Sequence, residues 1–392
     1  MRGENVIIKG FIFFKDNKIP FVIENYKMEL FSDNLFIRDF CKEYNFKENY
    51  NLQGQCVSSG DICRKAIFLV EKSLGTECYL SCYIINMHNS DEVYNSIGLQ
   101  SPFLDDVFRY KYQYFDTIKS DVNLAISPKN LYTIPFSMNK LKYELKYQIG
   151  HDSRLGILED FDRKGEIIVP LHTNGIQECY DIAMVLYRLA MFMMSRVEVP
   201  FKQIILYNNG HRVGWFYCSL LSENAFSGRD MSFFKFDVLK YIPKILNNIA
   251  LDSRSKITQS IPLGHLGNFE NLFSPQRFIE QVMSFEYLFD KLDHKNAQNK
   301  RYPLKMELET MFNEFSQLLL KSKLSSNKIS DEIKELRRNI SHGYVYYYDF
   351  NNNQRIKHLI VLLDRLIKCM SLKYIGFSID EIYELFNNGC MM

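Results

Sequence analysis

The sequence predicts an α+β protein, with a β-rich N-terminal domain over residues 1–265 and an all-helical bundle over 268–392. Three observations predict it. A chain of 392 residues, 46% of them hydrophobic, is long and apolar enough to bury a core in each of two domains. Short alternating or β-branched runs separated by polar turns dominate the first 180 residues. Beyond the segment IPLGHLGN, Ile261 to Asn268, with its proline and two glycines, the apolar period becomes helical.

The first hairpin reads as Asn5 to Phe14, a turn at Asp16-Asn17, and Ile19 to Ile23. Further strand runs are Lys65 to Val70, Tyr79 to Ile85 and Glu166 to Val169. A clearer hairpin runs from Gln203 to Tyr207, turns at Asn209-Gly210 and returns from Arg212 to Cys218, because Asn-Gly supplies the positive φ values of a tight primed turn. From about Asp181, Ile182, Val185, Leu186, Leu189 and Met193 share one face of a helix that is apolar almost all around. Such a helix is expected to be buried against a sheet.

In the second domain, Ser274-Pro275 supplies an N-cap and a first-position proline. Phe278, Val282, Phe285 and Phe289 follow as one helical stripe. Leu308, Met311, Phe312, Phe315, Leu318 and Leu319 form the next. A third helix is expected to start near Ser330, with Asp331 and Glu332 in its first turn, Ile333, Leu336 and Ile340 on its apolar side, and Gly343 just past its end. A fourth runs from about Gln354 to Lys373. Ser378 and Glu381 form a capping-box pattern for a short last one.

Charge and composition exclude several function classes. A formal charge of +2 offers no broad field for nucleic acid or acidic membranes, so any RNA contact must be local. The start, MRGENVIIKG, lacks the long apolar core of a secretory signal, so a cytoplasmic protein is expected. The longest apolar segment, Ile182 to Ser195, is interrupted by Arg188 and is shorter than the roughly 20 residues that cross a bilayer. No membrane partner is expected. Nine cysteines, an odd number spread along the chain, read as reduced thiols, and the single close pair Cys78 and Cys82 has no second ligand pair for zinc. No glycine-rich phosphate loop or nucleophile elbow is present.

Chemistry concentrates in Glu335 to Tyr344, ELRRNISHGY, at the end of the third helix of the bundle. Histidine is the side chain whose ordinary pKa suits both taking and giving a proton near neutrality. Arginine presents five fixed donors to a phosphate and keeps its charge. Together they are a sufficient minimal set for cleavage of RNA by its own 2′-hydroxyl, with no metal and no cofactor. Residues five apart lie about 140° from each other around a helix, so Arg337 and His342 of one chain need not meet, whereas Arg338 and His342 share a face.

A helical bundle in which R-x4-H closes a helix, with glycine after the histidine, resembles the HEPN superfamily of ribonucleases. The run LRRNISHG and the spacing of the flanking helices are most similar to its ApeA-like branch, and the resemblance covers roughly the last 125 residues. It implies that Arg337 and His342 are catalytic and that Glu286, in MSFEYLF, orients one of them. The position after the arginine, commonly Asn in that family, is here Arg338 with Asn339 following. A register one residue later therefore makes Arg338 the alternative arginine. Asn339, Tyr344 and Tyr346 are the candidate RNA contacts, aromatic rings beside such a site being suited to stack unpaired bases. A strand or loop packed on the bundle is the structural alternative for the tyrosine run. The scattered His151, His172, His211 and His265 read as structural.

The resemblance further implies a homodimer or higher homo-oligomer whose cleft is shared by two protomers, and a role in antiphage defence by abortive infection. Host RNA, with tRNA a candidate, would be the substrate, and a phage-derived trigger would act on the N-terminal domain. The rival expectation is a noncatalytic HEPN module for nucleotide binding or dimerisation.

Overall fold

The computed structural model describes residues 7–31, 34–57, 62–89, 93–101, 130–150, 164–173, 175–194, 203–218, 238–252, 273–292, 302–319, 325–345 and 347–387. These form a mixed α+β chain in two compact units, 1–187 with 199–226, and 188–198 with 227–392.

Alternating runs in the first unit build six antiparallel strands: β1 Ile8–Phe14, β2 Asn17–Glu24, β3 Lys27–Leu30, β4 Glu48–Val57, β5 Cys63–Leu74 and β6 Glu77–Asn86. Their order is β3-β2-β1-β4-β5-β6, and β3 also pairs with the start of β6 through Lys27–Tyr79, Met28–Cys78 and Glu29–Glu77. These six strands therefore close on themselves through the β3–β6 pairing. Ile12, Ile19, Phe21, Met28, Leu52, Phe68 and Leu80 fill the interior. Helix α1, Asn34–Tyr44, adds the fully buried Phe40, whose ring meets Phe14 edge-on at 5.4 Å. The first hairpin turns at Lys15-Asp16, one residue before the expected Asp16-Asn17, with φ of 46° and 65°. Pairing Phe14 with Asn17 keeps Ile12, Phe14, Ile19 and Phe21 all inside, and a slip of one residue would expel them.

The end of β6, freed of β3, pairs instead with β12, His211–Cys218, from Cys82 to Asn86. The sheet continues β12 (His211–Cys218), β11 (Gln203–Asn208), β7 (Ser96–Gln100), β10 (Lys164–Pro170), β9 (Leu141–Gly150) and β8 (Asn130–Met138). The β11–β12 turn is Asn209-Gly210, with φ of 48° and 82°, as the Asn-Gly pair predicts. Helix α2, Ile176–Met194, starts five residues before Asp181. Its early Glu178 accepts the backbone N–H of His172 and Thr173 at 2.8 and 2.7 Å and the Tyr143 hydroxyl of β9 at 2.9 Å. No helix among the described residues is long and apolar enough to cross a membrane.

The second unit holds a 3-10 turn at Val238–Tyr241, then α3 Ile242–Leu251, α4 Pro275–Lys291, α5 Leu304–Glu314, α6 Ser316–Leu319, α7 Ser326–Ser341, α8 Tyr347–Asn352, α9 Gln354–Tyr374 and α10 Ile379–Asn387. Within it α4 packs along α9 and α5 along α7, with α4 also touching α7. The expected stripes are the core: Phe278, Val282, Phe285 and Phe289 from α4, Leu308, Met311 and Phe312 from α5, and Leu359, Leu363, Leu366, Ile367 and Met370 from α9 are all buried. Ser274 caps α4 by accepting the Arg277 N–H at 3.1 Å, and Ser378 and Glu381 bond reciprocally at the start of α10.

The helical unit begins upstream of the expected 265–268 junction. Helix α3 buries Ile242, Ile245, Leu246 and Ile249 and pairs with α10 through Lys244–Glu381, while Lys240 just before it pairs with Glu384, both at 2.7 Å. Residues 253–272, which include the IPLGHLGN segment, lie outside the described residues.

Candidate active site

Helix α7 carries the motif. It starts at Ser326 rather than near Ser330, because Ser325 caps it by accepting the Lys328 N–H at 3.2 Å. Asp331 and Glu332 consequently lie beyond the first turn, and Ser330 points into the core with no exposure. Ile329, Ile333 and Leu336 anchor the helix, and Ile340 is only half-buried.

The helix ends in a Schellman closure. His342 is the C-cap, Gly343 N–H donates to Ile340 O at 3.0 Å, and Tyr344 N–H donates to Asn339 O at 2.9 Å. Gly343 has φ of +71°, a conformation that side chains with a Cβ adopt at a cost. This closure fixes where His342 leaves the helix. Its ring is exposed and stacks on Tyr344 with centroids 5.8 Å apart and planes 27° from parallel. In most such closures the residue after the glycine turns back onto the last helical turn. Tyr344 is instead 73% exposed.

Arg337 projects toward α4. Its Nη1 and Nη2 donate to the two carboxylate oxygens of Glu286 at 3.1 and 3.3 Å, an end-on bidentate pair. The Glu286 side chain is mostly buried, at 14% exposure, and that of Arg337 is 39% exposed. End-on pairing consumes one hydrogen of each terminal nitrogen. The side-on edge, Nε–H with the outer hydrogen of Nη2, is left for another anion. Glu286 therefore faces the arginine of the expected set and not the histidine.

Arg338 is different. It is exposed and reaches only Glu335, one turn back at 3.8 Å, a surface pair of little energetic weight. Asn339 is half-buried and serves the helix end through its carbonyl. Tyr346 lies outside the described residues. Tyr347 begins helix α8, so that part of the tyrosine run is helical rather than a strand or loop. Of the scattered histidines, His172 bonds the Lys142 carbonyl at 2.8 Å in the first unit, and His151 and His265 lie outside the described residues.

The structure thus joins Arg337 to Glu286 and His342 to Tyr344 as two separate pairs at the end of one helix. No family model, curated protein or solved structure matches this chain. The residues of the site carry the functional argument alone. Sequence reasoning did not anticipate one further cross-helix pair beside the motif, Arg355 of α9 donating through Nε to Glu332 of α7 at 2.5 Å. Glu332 had been expected to serve the helix dipole, and nothing in its spacing marks a partner on another helix.

Proposed function

We propose that this protein is a metal-independent endoribonuclease of the HEPN type, with His342 as acid/base and Arg337 as phosphate clamp. One observation carries the reading: a buried-side carboxylate holds Arg337 end-on and leaves its side-on edge for a phosphate, beside an exposed histidine fixed at a helix end. In the reaction, the 2′-oxygen attacks phosphorus and the bond to the 5′-oxygen breaks. One proton leaves the 2′-hydroxyl and one reaches the departing 5′-oxygen, so the products carry a 2′,3′-cyclic phosphate and a 5′-hydroxyl. Histidine suits both transfers. Arg337 neutralises the charge that gathers on the phosphorane oxygens.

Each chain supplies a single such histidine. A two-fold homodimer through the helical unit brings two copies of the motif together, one for each transfer. All residues of the proposed site belong to the second unit, which leaves the β-rich first unit to regulation. On this reading the protein is a cytoplasmic antiphage effector, cleaving host RNA, with tRNA a candidate, once a phage-derived cue reaches the first unit.

A noncatalytic module for nucleotide binding or dimerisation is the competing reading, and the Arg337–Glu286 pair itself favours it, since a bidentate pair between two helices is a sufficient structural clamp. Expression of wild type and His342→Ala in cells with and without phage, followed by sequencing of RNA ends, separates the two. New ends and growth arrest in the wild type alone support the ribonuclease. Identical cells and ends support the module.

A further inference from the structure

Away from Arg337 and His342, α9 builds a cationic cluster against α7. Arg355, His358 and Arg365 fall within about 80° of one another around α9 and form a stripe about 15 Å long from Arg355 to Arg365. Arg355 bonds Glu332 of α7, and Lys357 lies over the Phe273 ring at 5.2 Å. Partial burial lowers the His358 pKa, and the charges of Arg355 and Arg365 lower it further, with Glu332 acting in the opposite sense. Arg355 lies in the first turn of α9, where a cation faces the positive end of the helix dipole. The first turn of α9 holds no acidic residue. The Asn353 side chain caps the helix by accepting from Arg355 N–H and Ile356 N–H.

We propose that Arg355, His358 and Arg365 form a phosphodiester-binding surface that grips RNA away from the scissile bond, with Glu332 holding Arg355 until a phosphate replaces it. This rests on the ribonuclease reading of Arg337 and His342. Glu332 and His342 are ten residues apart on α7, about 15 Å along its axis, so one RNA strand spans both.

The test uses the full chain carrying His342→Ala, which leaves RNA intact, and a labelled mixed-sequence single-stranded RNA titrated across a range of salt. Each phosphate contact contributes about 0.7 to the slope of log affinity against log salt for single strands. Adding Arg365→Ala is expected to weaken binding and reduce that slope by about 0.7. Adding Glu332→Gln is expected to tighten binding, a change that loss of fold does not produce. Unchanged affinity and slope in both variants, or weaker binding with Glu332→Gln, overturns the surface while wild-type cleavage leaves the ribonuclease reading standing. RNA neither bound nor cleaved by any form overturns both.

Discussion

Arg337 spends its two terminal nitrogens on Glu286, so its use to a phosphate depends on a geometry that lysine cannot reproduce. Arg337→Lys is expected to be nearly as inactive as Arg337→Ala, and His342→Ala to lose about 10²- to 10⁴-fold in rate. Arg338→Ala should lose far less, because that side chain is exposed and holds only a neighbour on its own helix. Initial cleavage rates check the set, and an inactive Arg338→Ala beside an active Arg337→Ala would move the site one residue along. In the first unit, Glu166 of β10 is 2% exposed, and burial raises its carboxyl pKa against the opposing effect of the Tyr207 hydroxyl at 2.7 Å and the Arg212 charge. A raised carboxyl contributes stability that is complete below the unfolded value, about 4.3. That contribution is lost as pH rises through the folded value. Glu166→Gln should therefore flatten the pH dependence, gaining on wild type in thermal melts at about pH 8 relative to about pH 5. Equal shifts at both would show that the carboxyl does not titrate in this way. Gly98 serves the same cluster, since a Cβ there would meet Glu166 Oε1 at 2.5 Å and the Tyr207 ring at 2.6 Å.

The boundaries of helices and turns divide into those the sequence makes legible and those it hides. Ser325→Ala should cost about 1 kcal/mol by removing the α7 cap. Ser330→Ala should be neutral or stabilising, because its buried hydroxyl has no hydrogen-bond partner among the described residues. Denaturant midpoints of the two variants decide where the helix begins, and a larger loss at Ser330 would contradict the cap. The sequence misleads here because Ser330-Asp331-Glu332 imitates a helix start, while Ser325 sits in a polar run that reads as a loop. Gly343→Ala, with open space around its Cβ, should cost about 1 to 2 kcal/mol from backbone strain alone. Ser274, Gly343 and Asn209-Gly210 were legible because each is a local device read from two or three residues. Strands β3, β8 and β9 were not, because their turns, Asn25-Tyr26 and Asn139-Lys140, take positive φ without glycine, and β4 and β7 were not, because they pair with strands distant in sequence, β4 with β1 and β7 with β10 and β11. Helix α1 escaped notice beside strand runs. Arg337, His342 and Glu286 were all named from the sequence, but which of the first two Glu286 faces depends on the packing of α4 against α7.

For the molecule as a whole, one unit is built around a twelve-stranded sheet whose first six strands close on themselves and the other around helices, and every residue of the proposed site lies in the second. One Arg337 and one His342 per chain predict a symmetric dimer, so light scattering at micromolar concentration should give twice the chain mass of 46.4 kDa. A purely monomeric protein with full activity would refute the shared cleft. His342 and Arg337 are proposed to cut RNA without a metal. That proposal is tested most directly by incubating excess purified wild type and His342→Ala with total RNA in the presence of a chelator, then determining the chemistry of the new ends. The wild type is expected to leave 2′,3′-cyclic phosphate and 5′-hydroxyl ends, and the variant none. Equal cleavage by His342→Ala, or wild-type cleavage that stops with chelator and returns with magnesium, would contradict it.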